Sequence, residues 1–238
     1  DRRNKPMFTK DQSTLAKIKH SERIFDDFKR ENLLPNKLSQ LGPGIAWGDI
    51  DNDNDNDVYI GGASGYPGRI FLNNGNSEFI MKYQPSFLGD KNFEDMGVLF
   101  IDVDEDGDLD LFVASGGVEC VPGSSLLLDR VYLNDGLGNF TKGHSSLMPD
   151  IRTSSSVVAA ADIDLDGNQE IFIGGRVVPG KYPLSPNSFI IKKIGSNYSD
   201  ATTKLAPEIK NAGMVTSAIF SDVDIDGWPD LLVTYEWG

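Results

Sequence analysis

The chain has 238 residues, with 22 basic and 36 acidic side chains and a formal charge of −14 at pH 7. Such an acid excess excludes polyanion binding, which needs clustered Lys and Arg, so nucleic acid is not an expected partner. No apolar run approaches the ~20 residues that span a bilayer, so no transmembrane segment is expected, while 39% hydrophobic and 10% aromatic residues suffice for a packed core.

Residues 1–43 come first and share no motif with the rest of the chain. Leu15, Ile18, Phe25 and Phe28 could form a short amphipathic helix or an irregular cap. The first ten residues, DRRNKPMFTK, hold no apolar core of a secretion signal, so a leader was either removed or never present. Cys120 is the single cysteine and allows no intrachain disulfide, and only His20 and His144 could serve a zinc site or a catalytic triad. No HExxH, GxSxG, P-loop or dinucleotide fingerprint occurs.

From residue 44 onward a pattern recurs. GIAW leads into DIDNDNDNDVYI at Asp49, GVLFI into DVDEDGDLDLFV at Asp102, SVVAAA into DIDLDGNQEIFI at Asp162, and TSAIF into DVDIDGWPDLLV at Asp222. The four segments align without a gap, 53, 60 and 60 residues apart, and their nine-residue cores hold 19 of the 36 acids. A solvated charge run does not repeat with fixed internal spacing, so the loops demand a common chemical reason.

Carboxylates at positions 1, 3 and 5 converge on one point only if the chain curls around it. Position 6 must then accept positive φ, as Gly107, Gly167 and Gly227 do and Asn54 tolerates. Position 7 would offer a backbone carbonyl, which suits its drift through Asp55, Asp108, Asn168 and Trp228, and position 9 returns a carboxylate from Asp57, Asp110, Glu170 or Asp230. A flexible cage of six or seven hard oxygens suits Ca²⁺ better than Mg²⁺. An EF-hand is excluded because position 12, its bidentate Glu, is Ile60, Val113, Ile173 and Val233 here. The nonapeptide β-helix repeat has too short a period.

Each loop joins two apolar runs long enough for strands buried on both faces, and Ala46, Ala159, Ala160 and Ala218 would allow close approach near a crowded axis. RIFLNNG from Arg69, RVYLNDG from Arg130 and SFIIKKIG from Ser188 supply third strands, and the stretches around Phe79, Phe140 and Tyr198 supply fourth ones. Asn-Gly and Asp-Gly turns at Gly75 and Gly136 close the outer hairpins. Repeated four-stranded units of this length predict an all-β fold, a β-propeller, with blades over 44–90, 91–150 and 151–210 and a partial fourth over 211–238. About three and a half blades are thus present, and further blades or domains of a longer chain would complete the fold.

These loops, with the LNxG…F pattern at Leu72–Phe79 and Leu133–Phe140, resemble the FG-GAP/VCBS repeat family, which includes integrin α-subunit propellers and cartilage-acidic-protein-like proteins. The resemblance covers about residues 44–238. It implies a propeller, usually of seven blades, with Ca²⁺ between the first two strands of a blade, up to four ions here. The side-chain ligands implied by position are Asp49, Asp51, Asp53 and Asp57; Asp102, Asp104, Asp106 and Asp110; Asp162, Asp164, Asp166 and Glu170; and Asp222, Asp224, Asp226 and Asp230. Asn54 in place of Gly and Glu170 in place of Asp depart from the family pattern.

One acidic cluster recurring in every repeat reads as scaffold, because a catalytic site is usually singular and no His, Lys or Arg stands inside these loops. No catalytic residue is therefore assigned. Recognition is expected instead on the long connections between second and third strands, which carry Tyr66, Arg69, Glu119, Arg130, Arg176, Lys181 and Tyr182, a set suited to a protein or glycan ligand. The reading is a secreted, periplasmic or cell-surface calcium-binding recognition module. A carbohydrate-active enzyme or its non-catalytic propeller, and a pure scaffold, remain alternatives.

Overall fold

The computed structural model describes residue 15 and residues 18–76 and 78–238. The sheets follow one another in sequence. Strands β1 (Ile45–Gly48), β2 (Asp57–Ile60), β3 (Arg69–Asn73) and β4 (Phe79–Lys82) pair in order, as do β5 (Asp95–Ile101), β6 (Asp110–Ser115), β7 (Arg130–Asn134) and β8 (Phe140–Lys142). Strands β9 (Ser154–Ala161), β10 (Glu170–Val177), β11 (Phe189–Ile194) and β12 (Asn197–Asp200) form a third antiparallel sheet, and β13 (Val215–Ser221) with β14 (Asp230–Tyr235) a two-stranded fourth. First strands of successive sheets neighbour one another, β1 against β5, β5 against β9 and β9 against β13, which is the arrangement of propeller blades about an axis.

Alternation along each second strand builds the core between sheets. In β6, Leu111 and Val113 join Ile50, Tyr59 and Ile70 of the first sheet, while Phe112 and Ala114 join Ile171 and Ile173 of the third. All six residues of β6 and all eight of β10 are buried, as strands sandwiched on both faces require. In the fourth sheet one face packs on Phe172 and Ile190, and Ile219 and Leu232 stay exposed. Ile45, Trp47 and Met81 do the same on the outer face of the first sheet.

The closest approach of inner strands depends on glycine more than on the alanines. A Cβ on Gly44 would lie 2.7 Å from the Met96 carbonyl, and one on Gly97 3.0 Å from the Val158 nitrogen. Of the four alanines, only Ala46 is buried.

Much of the N-terminal segment lies outside the described residues. The rest is an irregular strap, with helix limited to α1 (Asp27–Arg30) rather than an amphipathic helix over Phe25 and Phe28. Asp27, 1% exposed, holds it together by accepting from the Leu38 and Ser39 amides at 2.9 Å each and from Ser39 Oγ at 2.5 Å. Leu34 and Leu38 pack on Val118, Val177 and Met214, at the ends of strands from three sheets.

Candidate functional site

The four acidic loops join the first and second strands of their sheets and repeat one hydrogen-bond pattern. Position 1 accepts with both oxygens: Asp49 from the Asp53 and Asn54 amides, Asp102 from Glu105 and Gly107, Asp162 from Asp166 and Gly167, and Asp222 from Asp226 and Gly227, all within 2.7–3.1 Å. Position 5 accepts from the amide of position 7, where Asp55, Asp108, Asn168 and Trp228 stand, at 2.8–2.9 Å. Backbone donors thus orient the carboxylates of positions 1 and 5 before any ion is considered.

Position 9 closes the hairpin. One oxygen of Asp57, Asp110, Glu170 and Asp230 accepts from the amide of position 2, at 2.9–3.0 Å. The second oxygen of Asp57 takes the Asn73 amide at 2.7 Å, and that of Asp110 the Asn134 amide at 2.8 Å, which ties loop, second strand and third strand together. Burial pushes both carboxyls up, to about 6, against the lowering effect of those amides. Position 4 is left-handed in every loop, at Asn52 (φ 60°), Glu105 (65°), Leu165 (55°) and Ile225 (65°), in addition to position 6. Sequence reasoning located only position 6, since nothing in the residue types Leu and Ile signals positive φ.

Three carboxylates per loop offer oxygens within 4.8 Å of one another: Asp49, Asp51 and Asp53; Asp102, Asp104 and Asp110; Asp162, Asp164 and Asp166; Asp222, Asp224 and Asp230. Burial and the neighbouring carboxylates raise Asp51 and Asp104 above the usual range, with Lys82 opposing at Asp51, as expected of like charges gathered together. Asp51 Oδ1 is buried and has no partner among the described residues. An orphaned carboxylate oxygen among hard donors in the first loop fits a divalent cation, and each of the four clusters offers donors of that kind.

Loop three differs. Lys192 of β11 inserts its ammonium among the carboxylates, 2.8 and 2.6 Å from the two oxygens of Asp164, 2.8 Å from Asp166 and 2.9 Å from Glu170. The loop segment contains no basic residue, but the fold brings one in from 22 residues beyond Glu170. Three carboxylates of the third loop thus share the Lys192 ammonium, an arrangement not seen in the other loops.

A second face carries the connections between second and third strands, at the ends of the sheets away from the acidic loops. The N-terminal strap lies across it. Arg69 donates to the Lys19 carbonyl at 3.0 Å, Arg23 pairs with Glu119, Arg30 donates to the carbonyls of Val118 and Cys120, and Glu31 accepts the Tyr182 amide at 2.6 Å. Arg130 is 5% exposed and ion-paired to Asp95 at 2.5 Å, so its guanidinium serves the core. Arg176, 8% exposed, pairs with Glu236, whose other oxygen accepts from Tyr182 Oη at 3.0 Å. Of the seven candidates, Tyr66 and Lys181 remain exposed.

A cleft of about 650 Å³ beside the start of β7, the end of β8 and the segment leading to β9 went unnoticed in the sequence. Phe93, Lys142, His144, Met148 and Arg152 contribute to its lining, a partly apolar floor with a polar rim. Phe93 apart, these residues fall within 142–152, at and after the end of β8, where no recurring motif marks them.

Among the described residues no helix is long and apolar enough to cross a membrane. Residues 49–113, from the first loop through most of β6, match the model of the FG-GAP-like repeat. The chain is 25% identical over 199 residues to cartilage acidic protein 1 of Mus musculus, which covers 82% of the chain; the chain spans 29% of that relative's length. The matched repeat, its structural recurrence in successive sheets and this relative support the FG-GAP-like repeat family for the chain.

Proposed function

We propose that this propeller segment binds Ca²⁺ in its acidic loops and acts as an extracellular or cell-envelope recognition module. The observation that carries the reading is the same inward-facing carboxylate cage in successive sheets, with Asp51 Oδ1 buried and unpartnered. Several carboxylates in close quarters repel one another without a cation, so ion binding would add directly to folding stability. Millimolar extracellular calcium suits loops of this kind, and the likeness to a cartilage protein of the mouse accords with an extracellular setting. A protein or glycan ligand would be met at the cleft lined by Phe93, Lys142, His144 and Arg152, beside the end of the connection between β6 and β7.

Isothermal titration with calcium tests the first part: saturable binding that weakens on Asp104→Asn supports it, and no heat at millimolar calcium refutes it. Glycan-array and pull-down binding lost on Arg152→Ala with an unchanged melt tests the second. A scaffold role is the second reading, favoured by the apolar outer faces of the first and fourth sheets, with Ile45, Trp47, Ile219 and Leu232 exposed, which suit packing against further blades.

A further inference from the structure

We infer that the third loop is clamped by Lys192 in place of a divalent ion, so that blade three carries its own cation. The register of the sheets makes the comparison between blades direct. Val58 pairs with Phe71, Leu111 with Tyr132 and Ile171 with Ile191, so the next residue of the third strand is Leu72, Leu133 and Lys192 in turn. Leucine gives way to lysine only in the blade where position 9 is Glu170 rather than Asp. The two departures meet: Glu170 Oε1 lies 2.9 Å from Lys192 Nζ, while Oε2 keeps the Ile163 amide at 3.0 Å, the bond that position 9 makes in the other loops.

The second oxygen of position 9 therefore changes partner. In blades one and two it takes a backbone amide of the third strand, from Asn73 or Asn134; in blade three it takes the ammonium. Lys192 further contacts both oxygens of Asp164 and one of Asp166, so one cation satisfies carboxylates at positions 3, 5 and 9. Those are the positions a divalent ion would draw on. Entry of Ca²⁺ would require expelling a lysine whose alternative position lies in solvent, and repulsion between ammonium and ion forbids both together. The neighbouring Lys193 is engaged elsewhere, donating to the Val103 carbonyl of the second loop at 2.7 Å and pairing with Glu105.

The inference is independent of the calcium reading for the other loops, and two measurements separate them. Acetylation of the folded chain, followed by mass spectrometry, should find Lys192 protected relative to exposed Lys181, equally in calcium and in chelator. Stronger labelling of Lys192 in calcium overturns the inference, because it reports expulsion by an ion. Counting bound calcium by equilibrium dialysis should show Asp104→Asn losing one ion and Asp164→Asn losing none; loss of an ion on Asp164→Asn overturns the inference too. If the unaltered chain binds no calcium, the calcium reading fails while the labelling arm still decides for or against the lysine clamp, as fourfold or greater labelling of Lys192 in a Glu170→Gln variant would support it and unchanged labelling would refute it.

Discussion

Arg130 Nη2 lies 2.5 Å from Asp95 Oδ1, and both side chains are 4% exposed. The other Asp95 oxygen accepts from Tyr59 Oη and from the Gly62 amide, each at 2.7 Å, so the pair ties the first sheet to the second. Tyr132 Oη and Ser115 Oγ also face the guanidinium, which lies 4.3 Å from the centroid of the Phe93 ring. A buried charge with this many partners is strongly destabilising to orphan.

Asp95→Ala should therefore lower stability by about 3–5 kcal/mol, since it strands the buried arginine as well as the Gly62 amide. Tyr59→Phe, which removes one hydroxyl and leaves the ion pair, should cost about 1 kcal/mol. Urea midpoints at constant slope measure both. A cost for Asp95→Ala no greater than that for Tyr59→Phe would show that the pair does not join the blades.

Stability should fall between mildly acid and mildly alkaline pH because of Glu94. Its side chain is pushed up to about 8 by burial first and then by Glu22, Glu119 and Asp95, with Arg23 opposing. In the unfolded chain a glutamate ionises near 4.5, so between that value and about 8 the unfolded state binds fewer protons than the folded one. The contribution of Glu94 is thus fully present below pH ~4.5 and is lost as pH rises through about 8. Glu94→Gln should flatten this part of the profile and gain most over the unaltered chain at pH 8 and above, which melting curves across the range would reveal. An unchanged slope would place the effect elsewhere.

What the sequence made legible was local. Carboxylates at positions 1, 3 and 5 and the left-handed residue at 6 lie within one turn of chain, and β2, β6 and β10 are continuous apolar runs, so spacing alone carries them. What it left hidden depends on chain segments far apart. Arg176 and Glu236 are 60 residues apart, and Glu31 and Tyr182 are 151 apart, so neither pair could be anticipated. Lys192 is the intermediate case: an alignment of the third strands sets it against Leu72 and Leu133, in the same repeat that carries the longer Glu170. The signal lay in two departures falling in one blade, and it becomes readable once the strand register is known.

Calcium should raise the melting temperature and chelator should lower it. Each occupied loop adds about 2.7 kcal/mol at a free ion concentration 100-fold above Kd. Asp102→Ala removes the acceptor for the Glu105 and Gly107 amides and one carboxylate of the cage. The variant should lose part of the calcium-dependent rise and keep the rest, because the other loops are separate. A rise of the same size in both proteins, measured by calorimetry, would remove the second loop from the ion-binding set.

Strain at position 4 yields a prediction that needs no ion at all. Leu165 and Ile225 hold φ of 55° and 65°, yet the two residues are 56% and 88% exposed. An L-residue in the left-handed region costs about 1–2 kcal/mol, a β-branched one is least suited to it, and Asn tolerates it best among residues with a Cβ. The first loop already has Asn at this position, Asn52 at φ 60°. Ile225→Asn should therefore stabilise the chain by about 1 kcal/mol in chelator, because little burial is lost and the backbone stays as it is. Gly107→Ala, at φ 94°, should do the opposite by a similar amount. Chemical denaturation of both variants in chelator measures the difference directly. Should Ile225→Asn destabilise instead, the turn at position 4 is held by the isoleucine side chain itself, and the backbone account of these loops is wrong.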